Sequence, residues 1–545
     1  MTSSTIQHRS TPDRHNEGPS SPDRTDFLND NGDVFHLTRF TGKDRQATKN
    51  QQPFIPLSDG APINNLLIEL LSYVFILGSK AEKTGQEEQE EEEDVAGKEG
   101  RHLPFQVLVS HVCRQWRAVA IETPTLWTYL DFKEGPPFDK SRTWLERSKE
   151  CPLVIKLDCT EPTPGPEPDG SEDQAGSSSE NELVPPGGPP LPLRGGENNK
   201  MLNGYLSPAD LPIVQDLLLP HSARWSVFEL IVYCNDFKFM LDMLSTLASI
   251  PEAPELRALS IHYKLSPDSG YYVLSVPAPF CGRAPRLRLV KLWRMSVEWE
   301  ACGFLQGLEE LELGYHDKDV RPKYEVFARI LRGSPDLHTL KLCGSGPAGD
   351  EEDWPTDVIE LPSVRQHYLA KVPPSYASAL LKRFVFPNLS NLSLEFDPRL
   401  DYSAFIEQLA SPPPKQRHSV CQNLVELMLF GQRCSDTALG TLYAALPNLI
   451  SLTINCYDKQ HQYFEYLFAM NSRDPDGFYL PKLTTLTTYG ISVQRMSDLI
   501  RRRRKIKHVQ MDWTADVDVE DAEYASSWLR AHTESLVFFD FSYYE

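Results

Sequence analysis

Residues 335–342 read Pro-Asp-Leu-His-Thr-Leu-Lys-Leu, and the spacing of their leucines decides the fold. Leu340 and Leu342 lie two apart with a polar residue between them, the period of a half-buried strand. The Leu-x-x-Leu-x-Leu core, with Ile, Val or Phe at some positions, returns from Leu256, Leu287, Leu308, Leu389, Leu424 and Leu449. Shorter or degenerate copies stand at 153–157, 228–232, 483–486 and 506–511. Amphipathic stretches at 140–149, 324–331, 402–409, 437–445 and 463–470 predict helices between the strands. Strand and helix alternating in short repeats form a mixed α and β solenoid, in which each unit buries its apolar face only against its neighbours.

This irregular α/β leucine-rich-repeat-like array is expected over 139–545. Its leucines point inward, and Arg257, Arg288, Glu309, Glu310, His338, Lys341, Asn391 and Glu426 face out on a surface suited to protein binding. Residues 160–203 are read as a disordered loop inside the array. Nine prolines and seven glycines fall within 160–200, with no aromatic residue, so this stretch has no means of building a core. The 52-residue step between Leu337 and Leu389 is read as a second insert, around Gly344–Asp357.

Charge sets further bounds. The 545-residue chain carries −21, yet 81–100 and 160–200 together hold thirteen of those excess charges. An acidic balance argues against a phosphate-backbone partner, so no nucleic acid is expected. The ten cysteines lie singly, without Cys-x-x-Cys spacing, which fits reduced thiols in the cytoplasm or nucleus rather than a metal site or disulfide framework. The N-terminus lacks the apolar run of a secretory signal, and no stretch approaches the ~20 apolar residues of a membrane span. Residues 1–56 are polar enough to be disordered, and their Thr11-Pro-Asp-Arg and Ser21-Pro-Asp-Arg repeats could accept phosphate.

Ahead of the array, two apolar helices are expected at 62–78 and 103–120. Leu66, Leu67, Leu70, Leu71, Val74 and Phe75 mark one face of the first. Leu108, Val112, Trp116 and Val119 form a ladder on the second, before Thr123-Pro124 stops it. Leu126 and Trp127 follow as a further apolar anchor. Between the helices, the acidic insert 80–101 is read as a solvated loop. Two such helices are too small to bury their own surface, and they need a partner.

Ser110-His-Val-Cys-Arg-Gln-Trp-Arg-Ala-Val-Ala-Ile-Glu-Thr-Pro-Thr-Leu-Trp127 closely resembles the second half of the F-box motif of fungal F-box proteins. Leu66-Leu-Ile-Glu-Leu-Leu71 with Val74-Phe75 resembles its opening, although Leu67 stands where the family has a proline. Residues 143–157 and His221-Ser-Ala-Arg-Trp225 resemble recurring features of the group that joins this box to degenerate leucine-rich repeats. The resemblance implies a small all-α F-box domain at 57–135 that docks a Skp-family linker, and through it a cullin, while the repeats hold a protein substrate. Carried over residue by residue, the linker-docking set is Leu66, Glu69, Leu70, Leu71, Val74, Phe75, Val112, Cys113, Trp116, Leu126 and Trp127. The function implied is a non-catalytic, substrate-recruiting adaptor of an SCF-type ubiquitin ligase, or alternatively a scaffold acting without ubiquitylation.

Signatures of catalysis are missing from the sequence. It contains no Gly-x-Ser-x-Gly, no phosphate-cradling glycine loop ending in Lys-Ser/Thr and no His-Glu-x-x-His, so no catalytic residue, cofactor or metal is expected. The basic run Arg501-Arg-Arg-Arg-Lys505 fits either a nuclear-localisation patch or cations placed at a helix C-terminus.

Overall fold

Each repeat core folds as one buried turn residue followed, two positions later, by a five-residue strand. Leu308, Leu337, Leu389, Leu424, Leu449 and Leu483 occupy the turns and are all buried. The strands they introduce belong to one open, parallel sheet of fourteen strands. In chain order these are β1 (Tyr129–Leu130), β2 (Leu153–Cys159), β3 (Trp225–Tyr233), β4 (Ala258–Lys264), β5 (Leu289–Trp293), β6 (Glu310–Gly314) and β7 (Thr339–Cys343). They continue as β8 (Gln366–Ala370), β9 (Asn391–Glu395), β10 (Glu426–Phe430), β11 (Ser451–Asn455), β12 (Thr485–Tyr489), β13 (His508–Asp512) and β14 (Ser535–Phe539). Spatial order matches chain order throughout, so each strand pairs only with its sequence neighbours.

This computed structural model describes residues 63, 66–92, 103–160, 206–233, 237–264, 274–412, 419–431, 433–457, 462–470, 477–512 and 519–539, with two-residue strands at 27–28 and 34–35. The chain divides into two compact units, Met1–Gly78 and Ser79–Glu545, and the sheet lies wholly in the second. The expectations of disorder for 1–56 and 160–203 fall almost entirely outside the described residues. Among the described residues, no helix is long and apolar enough to cross a membrane.

Parallel pairing aligns the repeat leucines into two columns. One runs Leu311, Leu340, His367, Leu392, Leu427, Leu452, Leu486 and Val509; the other runs Leu313, Leu342, Leu369, Leu394 and Leu429. Both face the helix layer. Leu340, Leu342, Leu369, Leu392 and Leu394 meet Ala377 and Leu380 of helix Pro374–Arg383 and Phe405 and Leu409 of helix Ser403–Ala410 around a cavity of about 30 Å³. Each large apolar side chain so buried contributes about 1.5–3 kcal/mol. The His-Ser-Ala-Arg-Trp segment also has a structural task. Arg224 donates to the Ser148 hydroxyl at 3.0 Å and the Cys151 carbonyl at 3.1 Å, tying the approach to β2 to the start of β3.

Four expectations are corrected. The 52-residue step is not an insert alone, because β8 occupies its second half. Its repeat reads Val364-Arg-Gln-His-Tyr-Leu369, with His367 at a leucine position. The expected helix over 103–120 is two helices, α2 (Phe105–Val112) and α3 (Arg114–Ile121), broken at Cys113, whose φ of −157° is extended. There the Cys113 sulfur accepts the Trp116 N–H at 3.4 Å and caps α3. The acidic insert is not all loop, since α1 runs from Ile68 to Glu92. Ala, Glu, Gln and Lys are good helix formers, and a helix already nucleated by apolar turns extends through them at little cost. Finally, the helix expected at 463–470 is one α-turn, Gln462–Glu465, followed by a 3-10 turn, Tyr466–Phe468.

Candidate interaction surfaces

In the first unit, α1 and Leu67 just before it present a stripe of Leu67, Leu70, Val74 and Leu77, between 41% and 67% exposed. Steps of three, four and three put them on one helix face. Leu71 and Phe75, one position further round, are buried, while Leu66 and Glu69 are half-buried. The candidate set on this helix therefore divides. Leu70 and Val74 face water, and Leu71 and Phe75 are taken up by the protein's own packing. Leu67, placed on the apolar face but not in the docking set, and Leu77, named in neither, belong to the stripe, and the same 3-4-3 spacing marks them.

In the second unit, the Glu82 carboxylate accepts the Phe105 N–H at 2.9 and 3.1 Å and satisfies the first donor of α2. Gln106, Val109 and Ser110 form the buried face of that helix. Leu108 and Val112 share the opposite side, and Val112 is 60% exposed. Cys113 and Trp116 are half-buried. Leu126 and Trp127 are enclosed. The Trp127 indole N–H donates to the Ala120 carbonyl at 2.8 Å, its ring meets Trp144 edge-on with centroids 5.9 Å apart, and Arg147 stacks 4.5 Å from its centroid. These contacts make Trp127 a core side chain.

The open face of the sheet carries the residues between the leucines. On β5–β7 they neutralise one another. Lys291 lies 3.4 Å from Glu310 and 3.9 Å from Glu312, and Lys341 lies 3.5 Å from Glu312. Glu312 also accepts the Trp293 indole N–H at 2.6 Å. The indole lies across Gly314 on the next strand, where an added Cβ would stand 2.6 Å from Trp293 Cδ2. Gly314→Ala should therefore overpack this position and cost about 1–3 kcal/mol by urea denaturation. In a Trp293→Ala background the same change should be nearly neutral; an equal loss in both backgrounds contradicts the contact.

From β8 to β12 the open face changes character, with Tyr368, Asn391, Ser393, Met428, Ser451, Thr453 and Thr485 and no lysine or arginine on the strands. Several of these residues line a depression of about 580 Å³ that also takes in Trp293, Lys341 and Glu426. Mixed hydrogen-bonding and aromatic groups of this kind suit recognition of another polypeptide.

The glycine-rich loop and the basic run each contribute a buried side chain to the fold. Ser345, in the glycine-rich loop after β7, lies 2.8 Å from His316 Nδ1, and His316 Nε2 lies 2.6 Å from the Met295 carbonyl. A carbonyl only accepts, so Nε2 carries the proton and Nδ1 takes the serine hydroxyl's. Both side chains are sealed from solvent, which leaves this serine–histidine pair no access to a substrate. Within the basic run, Arg503 is buried and donates to the Leu480 carbonyl at 2.7 Å, and burial lowers its pKa to about 10. The five cations are thus not one accessible string.

Among the described residues, no group of three or more His, Cys, Asp or Glu side chains could hold a metal ion. The nine described cysteines are free thiols, and burial pushes Cys302, Cys421 and Cys456 up to about 12. Comparison of the chain with protein-family models found no match, and no curated protein matches it.

Proposed function

We propose that this protein is a substrate-recruiting, non-catalytic adaptor of an SCF-type ubiquitin ligase. In this reading an F-box segment at 57–135 docks a Skp-family linker, and a leucine-rich-repeat-like array holds a protein substrate on its open face. The observation that carries the reading is the apolar stripe Leu67, Leu70, Val74 and Leu77 left in water, within the very segment that resembles the opening of the box. A soluble protein gains nothing by exposing four large side chains in register, whereas a partner covering them recovers about 1.5–3 kcal/mol for each. Exposed Leu108 and Val112, in the segment that resembles the second half, extend the docking set. The buried members, Leu71, Phe75, Leu126 and Trp127, support the helices that present these side chains. The reading places the protein in the cytoplasm or nucleus, where its reduced thiols persist.

The test is affinity capture of the tagged full chain from cells, with the bound proteins identified by mass spectrometry. Recovery of a Skp-family linker together with a cullin is expected. Leu70→Asp or Val74→Asp should cut linker recovery at least about tenfold. Linker without cullin would favour a scaffold that acts without ubiquitylation, and unchanged recovery by both variants would sink the docking assignment.

A further inference from the structure

We infer that the depression on the open face of β8–β10 takes a basic side chain, lysine or arginine, from an extended segment of the bound protein. The site rests on the reading that this face holds a polypeptide, and it specifies what that polypeptide must carry. Parallel register builds it. Tyr368, Ser393 and Met428 stand side by side on β8, β9 and β10, and Asn391 and Glu426 stand two residues earlier on β9 and β10. Ser393 is the smallest of the first three, so a slot opens above it between the tyrosine ring and the thioether. Strands spaced about 4.8 Å apart put Tyr368 and Met428 about 9–10 Å from each other. Two van der Waals contacts of about 3.5–4 Å leave that width filled by one aliphatic stem. The Tyr368 hydroxyl donates to Glu395 at 2.6 Å, which fixes the ring before a guest arrives.

Charge decides the guest. Lys291 and Lys341 are balanced by Glu310 and Glu312, and Glu395 is balanced by Lys371 at 2.6 Å. Glu426 is exposed and forms no ion pair among the described residues. The Asn391 amide donates to it, which aims the carboxylate without neutralising it. The depression of about 580 Å³ therefore holds one uncompensated charge, and that charge is negative.

A lysine or arginine satisfies every wall of the slot at once. Its methylenes lie between Tyr368 and Met428, its cation meets the tyrosine face, and its N–H groups reach Glu426. The two-residue step from Met428 to Glu426 spans about 6–7 Å along the strand, within reach of such a stem. An acidic or phosphorylated segment meets Glu426 with the same sign, and it finds no lysine or arginine on β8–β12. An uncharged apolar segment would strip water from the carboxylate and give it no partner.

The test uses the purified full chain, with no linker protein present, and fluorescence anisotropy. The probes are labelled peptide pools, randomised except at a central lysine, arginine, norleucine, glutamate or phosphoserine. The lysine and arginine pools should bind about tenfold more tightly than the norleucine pool, and the two anionic pools more weakly still. Glu426→Gln keeps a partner for Asn391 but should erase the basic preference, and Glu426→Lys should turn it toward glutamate. Ser393→Leu fills the slot and should weaken the basic pools about tenfold. All three changes lie on the open face, so unaltered thermal midpoints are expected to certify the fold. A basic preference that survives Glu426→Gln, or tightest binding of the phosphoserine pool, would overturn the site. Pools that bind alike and all weaken in Ser393→Leu would overturn the basic selectivity and leave the face a polypeptide surface, whereas no binding by any pool would overturn both.

Discussion

Acidification from pH 7 to pH 4 is expected to remove about 6 kcal/mol of folding stability through two buried histidines, His316 and His367. Burial lowers both imidazoles from 6.5 to about 4, so they stay neutral in the folded protein at pH values where the unfolded chain already protonates them. Between these limits the unfolded state binds more protons, and stability falls as the pH falls. The contribution is complete above pH 6.5, declines through the window, and is gone near pH 4. Each histidine accounts for about 3 kcal/mol. His367 is the cleaner probe because it occupies a leucine position, stacked on Phe386 with centroids 4.8 Å apart and 2.9 Å from the Leu340 carbonyl. His367→Leu should lose about half as much stability as the parent on acidification, measured by urea denaturation at several pH values. An identical acid slope in both proteins would show that His367 is not one of the groups being protonated.

Trp127→Ala is the second change with a large expected effect, a loss of about 3–5 kcal/mol. It empties the space between Trp144 and Arg147 and leaves the Ala120 carbonyl without its indole donor. Trp127→Phe should recover part of the packing but not the hydrogen bond. Val112→Asp, only a few turns away on an exposed surface, should shift stability by no more than about 0.5 kcal/mol. The pair separates two roles that one apolar motif combines. If Trp127→Ala leaves the denaturation midpoint in place, the side chain is not part of the core and the docking set would regain it.

The physics of the repeat explains what could be read in advance. Wherever leucines stood at the turn and at both inward strand positions, the spacing located a strand to within two residues, because the first leucine belongs to the turn. β8 escaped since Val364 and His367 replace two of the three leucines, and only a neutral, buried imidazole lets the histidine serve. β1 is too short to show a period, and β14 begins at Ser535 without a leading leucine. In the candidate docking segments, spacing identified apolar faces but not which rungs the protein keeps for itself. Leu70 and Leu71 are adjacent and chemically identical, yet one is exposed and the other buried. The break at Cys113 was equally hidden. A β-region turn within an otherwise helical pattern leaves no mark when a thiol serves as the cap.

Hydrogen exchange of the purified full chain, with and without a purified Skp-family linker, tests the central proposal most directly. Linker docking predicts slowed exchange at 66–77 and 103–116, with β2–β14 unchanged, and loss of that protection in Leu70→Asp. Protection confined to the sheet, or none in either segment at saturating linker, would contradict it.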